Sequence, residues 1–249
     1  MKLTPLIGLW LGAAALTAQT APTTPKPPKT LIYLTPEQID PSRLLPPPPK
    51  DGSEIQQREM AAVKRMIKER TAERFAQARW DAAHEDASPF AAVLGPAFDL
   101  DKLPVTAKLL QGVLNDQGIA ASTAKDFFRR KFPVSAEMPA SYSEWTCDTG
   151  DRKPESRPLR GYPSGHSTLG YSLGVVLAAL VPEKSQAILT RAADYTYSRE
   201  VCGDHYHSDV DASRALGTAV GALLLNSPAM KPQFDAAKAE LRAAHVTAK

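Results

Sequence analysis

The sequence predicts an all-α fold built as a single helical domain. From Glu54 onward, apolar residues recur every three or four positions, which is the period of helices that pack through one face. The alternating pattern of strands is almost absent, and clusters of proline and glycine separate the helical stretches. With 43% hydrophobic and 23% charged residues, the composition is that of a globular protein and excludes a fully disordered chain.

The N-terminal region has the pattern of a cleaved export signal. Lys2 precedes an apolar stretch at 6–16, and the small residues Ala18 and Ala21 offer cleavage sites. A buried helix or a retained anchor is the alternative interpretation. From the export pattern we expect a signal peptide over 1–21. A proline-rich arm over 22–50 then wraps on the protein or serves as a linker, and a helical domain covers 51–245.

The helices of the domain are delimited by its prolines and glycines. A helix over 54–83 contains neither residue, whereas residues 88–104 are broken by both. Residues 137–162 are predicted to form a loop. The predicted helices, in order, cover residues 54–83, 105–116, 122–131, 166–180, 183–202, 205–225 and 232–244.

Charge and cysteine content exclude some functions. The net charge is +3, and the basic residues are scattered rather than gathered on one stripe, so no nucleic-acid partner is expected. Beyond the N-terminus, no apolar run reaches the length of a membrane span. Cys147 and Cys202 are the two cysteines, and in an oxidising compartment they are expected to form one disulfide.

A turn at 163–166 is the first candidate for chemistry. Its sequence, Pro-Ser-Gly-His, leads directly into an apolar helix. Free backbone N–H groups at a helix start bind anions, Ser164 adds a hydroxyl, and His166 is a candidate proton donor. Ordinary helix capping by Ser164 and Gly165 is the alternative.

A second group surrounds His205. Ser198 and Arg199 are followed after five residues by His205, and after three more by Asp209. On a helix, His205 and Asp209 share a face, so the carboxylate is expected to bond one ring nitrogen and leave the other free to attack. Arg199 offers a planar fork for phosphate oxygens. A surface His–Asp pair is the alternative.

A metal site is a further alternative at the same place. It would use Asp204, His205, His207, Asp209 and Asp211. His205 and His207 diverge on a helix, which argues against one shared ion.

Basic residues form the third group. Lys125 is followed by Arg129, Arg130 and Lys131, just before Pro133. Such a cluster is usually a solvated face. Next to an anion site elsewhere in the chain, it becomes a candidate phosphate clamp.

Together these motifs resemble bacterial class A non-specific acid phosphatases, which belong to the type 2 phosphatidic acid phosphatase and vanadium haloperoxidase superfamily. The family pattern is K-x6-R-P, then P-S-G-H, then S-R-x5-H-x3-D. The second and third motifs match in full, at 163–166 and 198–209. Further similar segments at 33–38, 44–49, 122–126, 201–205 and 208–212 extend the resemblance over about 31–241.

The resemblance implies a helical bundle of that type and a periplasmic phosphomonoesterase, with transfer to other alcohols as an additional activity. It implies that His205 attacks phosphorus, that Asp209 orients His205 and that His166 protonates the leaving group. Phosphate binding falls to Lys125, Arg199, Ser164 and Gly165, with Arg130 as a further candidate, and no metal or other cofactor is required. Self-association is common in the family. A vanadate-dependent haloperoxidase and a weakened or non-catalytic phosphate-binding protein are the alternatives.

One position departs from the family pattern. Six residues after Lys125 the family has arginine followed by proline, whereas this chain has Phe132 and Pro133. The phosphate-binding arginine is therefore missing. Arg130, Lys131 or Arg160 are candidate replacements.

Overall fold

A computed structural model describes residues 29–137, 139, 141, 144–147 and 158–248. Over these residues every regular element is helical, which confirms the all-α prediction. The expected signal peptide and the first residues of the arm lie outside the described residues, as does much of the predicted loop. No helix in the described part of the chain combines the length and apolarity needed to cross a membrane.

The described part of the proline-rich arm packs on the domain. The buried carboxylate of Asp116 accepts backbone N–H groups of Ile32, Tyr33 and Leu34 at 2.7, 2.8 and 2.9 Å. Tyr33 and Leu34 are themselves buried, and the carbonyl of Tyr33 accepts the hydroxyl of Ser227. Helix α1, Pro41–Leu44, follows.

The long helix predicted over 54–83 is two helices, and that prediction was wrong. Helix α2 covers Glu54–Glu69 and helix α3 covers Ala72–Ala83. Arg70 between them is extended, with ψ 135°, and the hydroxyl of Thr71 caps α3 by accepting the N–H of Arg74. A threonine that caps a new helix thus ends the old one without glycine or proline.

The opposite error occurred at Gly118. Helix α5, Pro104–Phe128, runs straight through the predicted break at this glycine. One glycine inside a helix costs only about 1 kcal/mol, and the alanines that follow it favour the helix. The helix ends instead at Arg129, which is left-handed with φ 51°, before the predicted end at Lys131.

The remaining helices complete the bundle. Two short ones are α4, Ala91–Leu94, and α6, Pro133–Glu137; the longer ones are α7, Gly165–Leu180, α8, Ser185–Val201, α9, His207–Leu225, and α10, Lys231–Ala243. The last four agree with the prediction to within two residues at each end.

Helix α7 is the central element. Its buried residues include Leu173, Val176 and Leu177, and it packs against α5, α8 and α9. Gly217 of α9 permits the closest approach, because a Cβ there would lie 2.5 Å from the carbonyl oxygen of Thr168. The first turn of α7 consequently packs against the middle of α9, and the site described next lies at the start of α7.

Candidate active site

The turn before α7 is fixed to α9. Ser164 is buried, its N–H donates to the hydroxyl of Ser213 at 2.7 Å, and its own hydroxyl accepts the N–H of Ser167. Ser164 therefore caps α7. The next residue, Gly165, lines a cavity of about 1360 Å³, and the Cε of Lys125 lies 3.7 Å from where a Gly165 Cβ would be. The N-terminal amides of α7 and the side chain of Lys125 thus border the same cavity.

His205 lines this cavity as a buried side chain. Its Nδ1 lies 2.8 Å from the carbonyl oxygen of Gly161, and because a carbonyl only accepts, Nδ1 carries a proton. In the neutral ring, Nε2 then has a free lone pair. Burial, with the charges of Lys125 and Arg199, holds the pKa of His205 well below its usual value. The lowered pKa favours the neutral ring, in which Nε2 can serve as a nucleophile.

The predicted helical pairing of His205 with Asp209 needs correction. His205 precedes α9, and Asp209 Oδ2 is 3.4 Å from Nδ1, farther than the Gly161 carbonyl. The Asp209 carboxylate instead accepts the N–H of Tyr206 at 2.9 Å and binds Arg130. Burial raises the pKa of Asp209 to about 6, against the opposing effect of Arg130. Asp209 thus supports His205 mainly by fixing the start of α9.

Gly203 shapes the turn that carries His205. Its φ is +73°, a left-handed conformation that favours glycine. A Cβ would also lie 2.6 Å from the carbonyl oxygen of Trp145. The chain can therefore reverse between α8 and α9 in a tight turn and deliver His205 to the cavity.

His166 lies in the first turn of α7, on the same cavity. Its Nε2 is 3.1 Å from both the carbonyl oxygen of Ala82 and a carboxylate oxygen of Glu85. Burial, with Arg199, lowers the pKa of His166 well below its usual value. Sequence reasoning missed Glu85, since no motif or spacing connects α3 with the start of α7.

Two cations border the histidines. The ammonium of Lys125 donates to the carbonyl oxygen of Arg160, and burial lowers its pKa to about 7. Arg199 is buried, and its Nη2 binds Asp204. Its Nε has no hydrogen-bond partner among the described atoms of the protein. An unpaired buried donor beside a cavity is suited to an anionic ligand.

The structure puts the candidate replacements for the missing arginine in different places. Arg130 lies behind the cavity wall, where its Nη1 binds Ser208 and Asp209 and its Nη2 binds Glu59 at 2.7 Å. Lys131 is exposed, and Arg160 lines the cavity while paired with Asp126. Of the three, Arg160 is therefore the one that borders the candidate phosphate site.

Phe132 itself lines the cavity. Its ring centroid is 5.4 Å from that of His205, and the ammonium of Lys125 is 5.8 Å from the same centroid. An aromatic ring thus forms the wall beside the candidate nucleophile.

The predicted disulfide is confirmed. Cys147 and Cys202, 55 residues apart in sequence, are joined, and Cys147 lines the cavity. Beside it, the hydroxyl of Thr146 donates to Asp204, which in turn binds Arg199. The segment at 144–147 is therefore tied to the candidate phosphate-binding arginine.

The five residues of the alternative metal site have other partners. His207 is exposed and lies beside Glu200 and Asp211, whereas Asp204 binds Arg199 and Asp209 binds Arg130. The structure therefore separates His207 and Asp211 from the three buried residues, which are Asp204, His205 and Asp209.

Comparison with known proteins gives consistent matches. Residues 105–232 match the model of the PAP2 superfamily. The chain is 35% identical to a non-specific acid phosphatase of Providencia stuartii, over 84% of either chain. It is 32% identical to an acid phosphatase of Zymomonas mobilis, over 84% of this chain and 78% of that one. A non-specific acid phosphatase of Salmonella typhimurium is 29% identical over 82% of this chain and 81% of its own.

Proposed function

The chain belongs to the PAP2 superfamily and is an acid phosphatase, and we propose that it hydrolyses phosphomonoesters through a covalent intermediate on His205. The observation that carries this proposal is the His205 ring. The ring is held by the Gly161 carbonyl through Nδ1 and lines a cavity shared with Lys125 and Arg199.

In the first step, the Nε2 lone pair of His205 attacks phosphorus and the bond to the leaving oxygen breaks. His166 supplies the proton that the leaving alkoxide needs. Lys125, Arg199 and the amides at the start of α7 bind the phosphoryl oxygens as charge moves onto the leaving group. Arg130 and Asp209 lie behind the cavity wall and fix the start of α9 beside His205.

In the second step, His166 removes a proton from water, which attacks the phosphohistidine and releases phosphate. An alcohol that replaces the water accepts the phosphoryl group instead, so the proposal includes phosphotransfer. An acid optimum is expected because the pKa of His166 is lowered and its protonated form increases as the pH falls.

The histidine assignment is tested by trapping the intermediate. We expect His205→Ala to abolish turnover of p-nitrophenyl phosphate, and His166→Ala to accumulate acid-labile phosphate on His205 because the second step lacks its base. His207→Ala is the matched control, since this exposed histidine lies two residues away and faces Glu200. Label on a serine or an aspartate, or full activity of His205→Ala, would disprove the mechanism.

We propose export to the periplasm as the setting of this activity. The N-terminal sequence pattern and the Cys147–Cys202 disulfide support export, because disulfides persist in oxidising compartments. Under this proposal the substrates are small phosphomonoesters outside the cytoplasm. The alternative function is that of a vanadate-dependent haloperoxidase, and addition of vanadate distinguishes the two. Vanadate inhibits a phosphatase of this mechanism, whereas it would activate a haloperoxidase.

A further inference from the structure

Trp80 is an exposed aromatic residue on the wall of the cavity that contains both histidines. Of the large apolar side chains that are exposed in the described part of the chain, it is the one that lines this cavity. The residue is 43% exposed. Single apolar residues on an outer surface are ordinary, but an indole that faces the space of a candidate active site is placed to contact a substrate.

The side chain of His84 holds this indole in place. The two rings are stacked, with their centroids 4.0 Å apart and their planes 22° apart. His84 Nδ1 lies 2.7 Å from the carbonyl oxygen of Trp80 and donates its proton to it, which ties the imidazole to the end of α3. Among the described residues, His84 is the only ring stacked on Trp80. The other face of the indole is therefore available for a second planar ring.

The leaving group of a substrate lies beside the end of α3. Under the proposed mechanism His166 gives its proton to the leaving oxygen, so the leaving group is on the His166 side of the phosphate. His166 Nε2 is 3.1 Å from the carbonyl oxygen of Ala82, in the last turn of α3. Trp80 belongs to the same turn. The alcohol part of the substrate is thus brought to the cavity wall that Trp80 forms.

The cavity has room for a leaving group with a ring. Its volume of about 1360 Å³ is far larger than a phosphate group needs. Along α5 the lining residues include Gly118, Ala121 and Ser122, whose small side chains leave this space open.

We propose that Trp80 is a specificity-determining residue that stacks on a planar aromatic ring of the leaving group. The preferred substrates are then phosphomonoesters of alcohols that carry such a ring. The inference rests on the proposed function of the same site. Because the stacked contact exists both before and during cleavage of the bond to phosphorus, it lowers KM and leaves kcat nearly unchanged.

The test compares adenosine 5′-monophosphate with ribose 5-phosphate, which share a primary leaving alcohol and differ by the aromatic base. We expect Trp80→Ala to lower the ratio of their kcat/KM values about tenfold, through a higher KM for the nucleotide. Trp80→Phe should keep the ratio within about threefold because it retains a ring. Phe127→Ala is the matched control, since Phe127 is an exposed aromatic residue that does not line the cavity.

A second pair of substrates, phenyl phosphate and cyclohexyl phosphate, locates the ring relative to the phosphate. A ratio that falls in Trp80→Ala for this pair supports stacking on a ring attached directly to the ester oxygen. A ratio that falls for the nucleotide pair alone supports stacking on a ring carried by a spacer.

The remaining outcomes separate the two proposals. Ratios that stay unchanged for both pairs in Trp80→Ala, or that fall equally in Phe127→Ala, would overturn the stacking inference and leave the phosphomonoesterase intact. Full activity of His205→Ala would instead remove the proposed mechanism and this inference with it. If circular dichroism shows that Trp80→Ala does not fold, Trp80→Leu, which is apolar but has no ring, takes its place and is judged by the same ratios.

Discussion

Lys125 is a residue at which stability and function conflict. Burial lowers its pKa to about 7, so the protein carries a poorly solvated charge at acid pH. Under the proposed function, the same charge binds phosphate. Such groups are characteristic of functional sites, because a residue selected only for stability would not hold a cation in this position.

Lys125→Met separates these two effects. Below pH 7 the wild type must desolvate a charged lysine, whereas methionine has no charge, so we expect the variant without ligand to unfold at a higher temperature at pH 5–6. Each kcal/mol gained corresponds to about 2–4 °C in a protein of this size. We also expect kcat/KM on p-nitrophenyl phosphate to fall at least about tenfold, as a charged contact is lost.

Lys125 makes the free energy of unfolding depend on pH, and the direction of its pKa shift gives the sign of this dependence. A lowered lysine pKa contributes stability that is present above the ordinary pKa of 10.5 and is lost as the pH falls toward about 7. The thermal advantage of Lys125→Met should therefore shrink at alkaline pH. A variant that is less stable than the wild type at pH 5–6 would contradict this account. Activity of the wild type should decline above pH 7 as Lys125 loses its proton.

At the scale of elements, the turn between α8 and α9 sets the geometry of the site. We expect Gly203→Ala to lower the stability by about 1–3 kcal/mol, because a positive φ is strained for alanine and its Cβ would meet the Trp145 carbonyl. Since His205 follows directly, kcat should fall as well. Thermal unfolding and steady-state kinetics measure the two effects.

Gly118→Ala is the control for Gly203→Ala. Gly118 lies within α5, and a Cβ there meets no atom within 4 Å. This replacement should raise stability by about 1 kcal/mol through helix propensity. Equal stability of the two alanine variants would show that the turn tolerates a side chain.

The two glycines also explain what the sequence could predict. Periodicity predicts most of the helices, but it predicts a helix end near Gly118 and no helix start at Thr71. Both depend on context, since a glycine is tolerated when neighbours favour the helix and a threonine caps only if the chain turns there. His166 and His205 were identified through short motifs. Glu85 and Glu59 were missed because they reach the site from helices that are distant in sequence.

At the scale of the whole molecule, the disulfide joins the segment at 144–147 to the end of α8. We expect Cys147→Ser with Cys202→Ser to lower the free energy of unfolding by about 4 kcal/mol, the value for closing a loop of 55 residues. Denaturant unfolding of the double variant measures this loss. The wild type under reducing conditions should match the variant, and equal stability with and without the bond would contradict the expectation.

The arm is a second long-range connection. Asp116 binds three successive backbone amides of the arm and lies on α5, the helix that also carries Lys125. The arm therefore stabilises the same helix that supplies a cation to the site, although it is remote from the chemistry in sequence.

The disulfide also matters to the cell that makes the protein. Thiol pools keep cysteines reduced in the cytosol, so under the proposed export a chain still in the cytosol would lack the bond beside Arg199 and the turn to His205. Before export the turn that carries His205 would then be held less firmly, and the chain would hydrolyse fewer of the phosphorylated metabolites around it. Oxidation after export would then complete the site only outside the cytosol. The Cys147–Cys202 disulfide would thereby protect the phosphorylated metabolites of the cell that makes the protein.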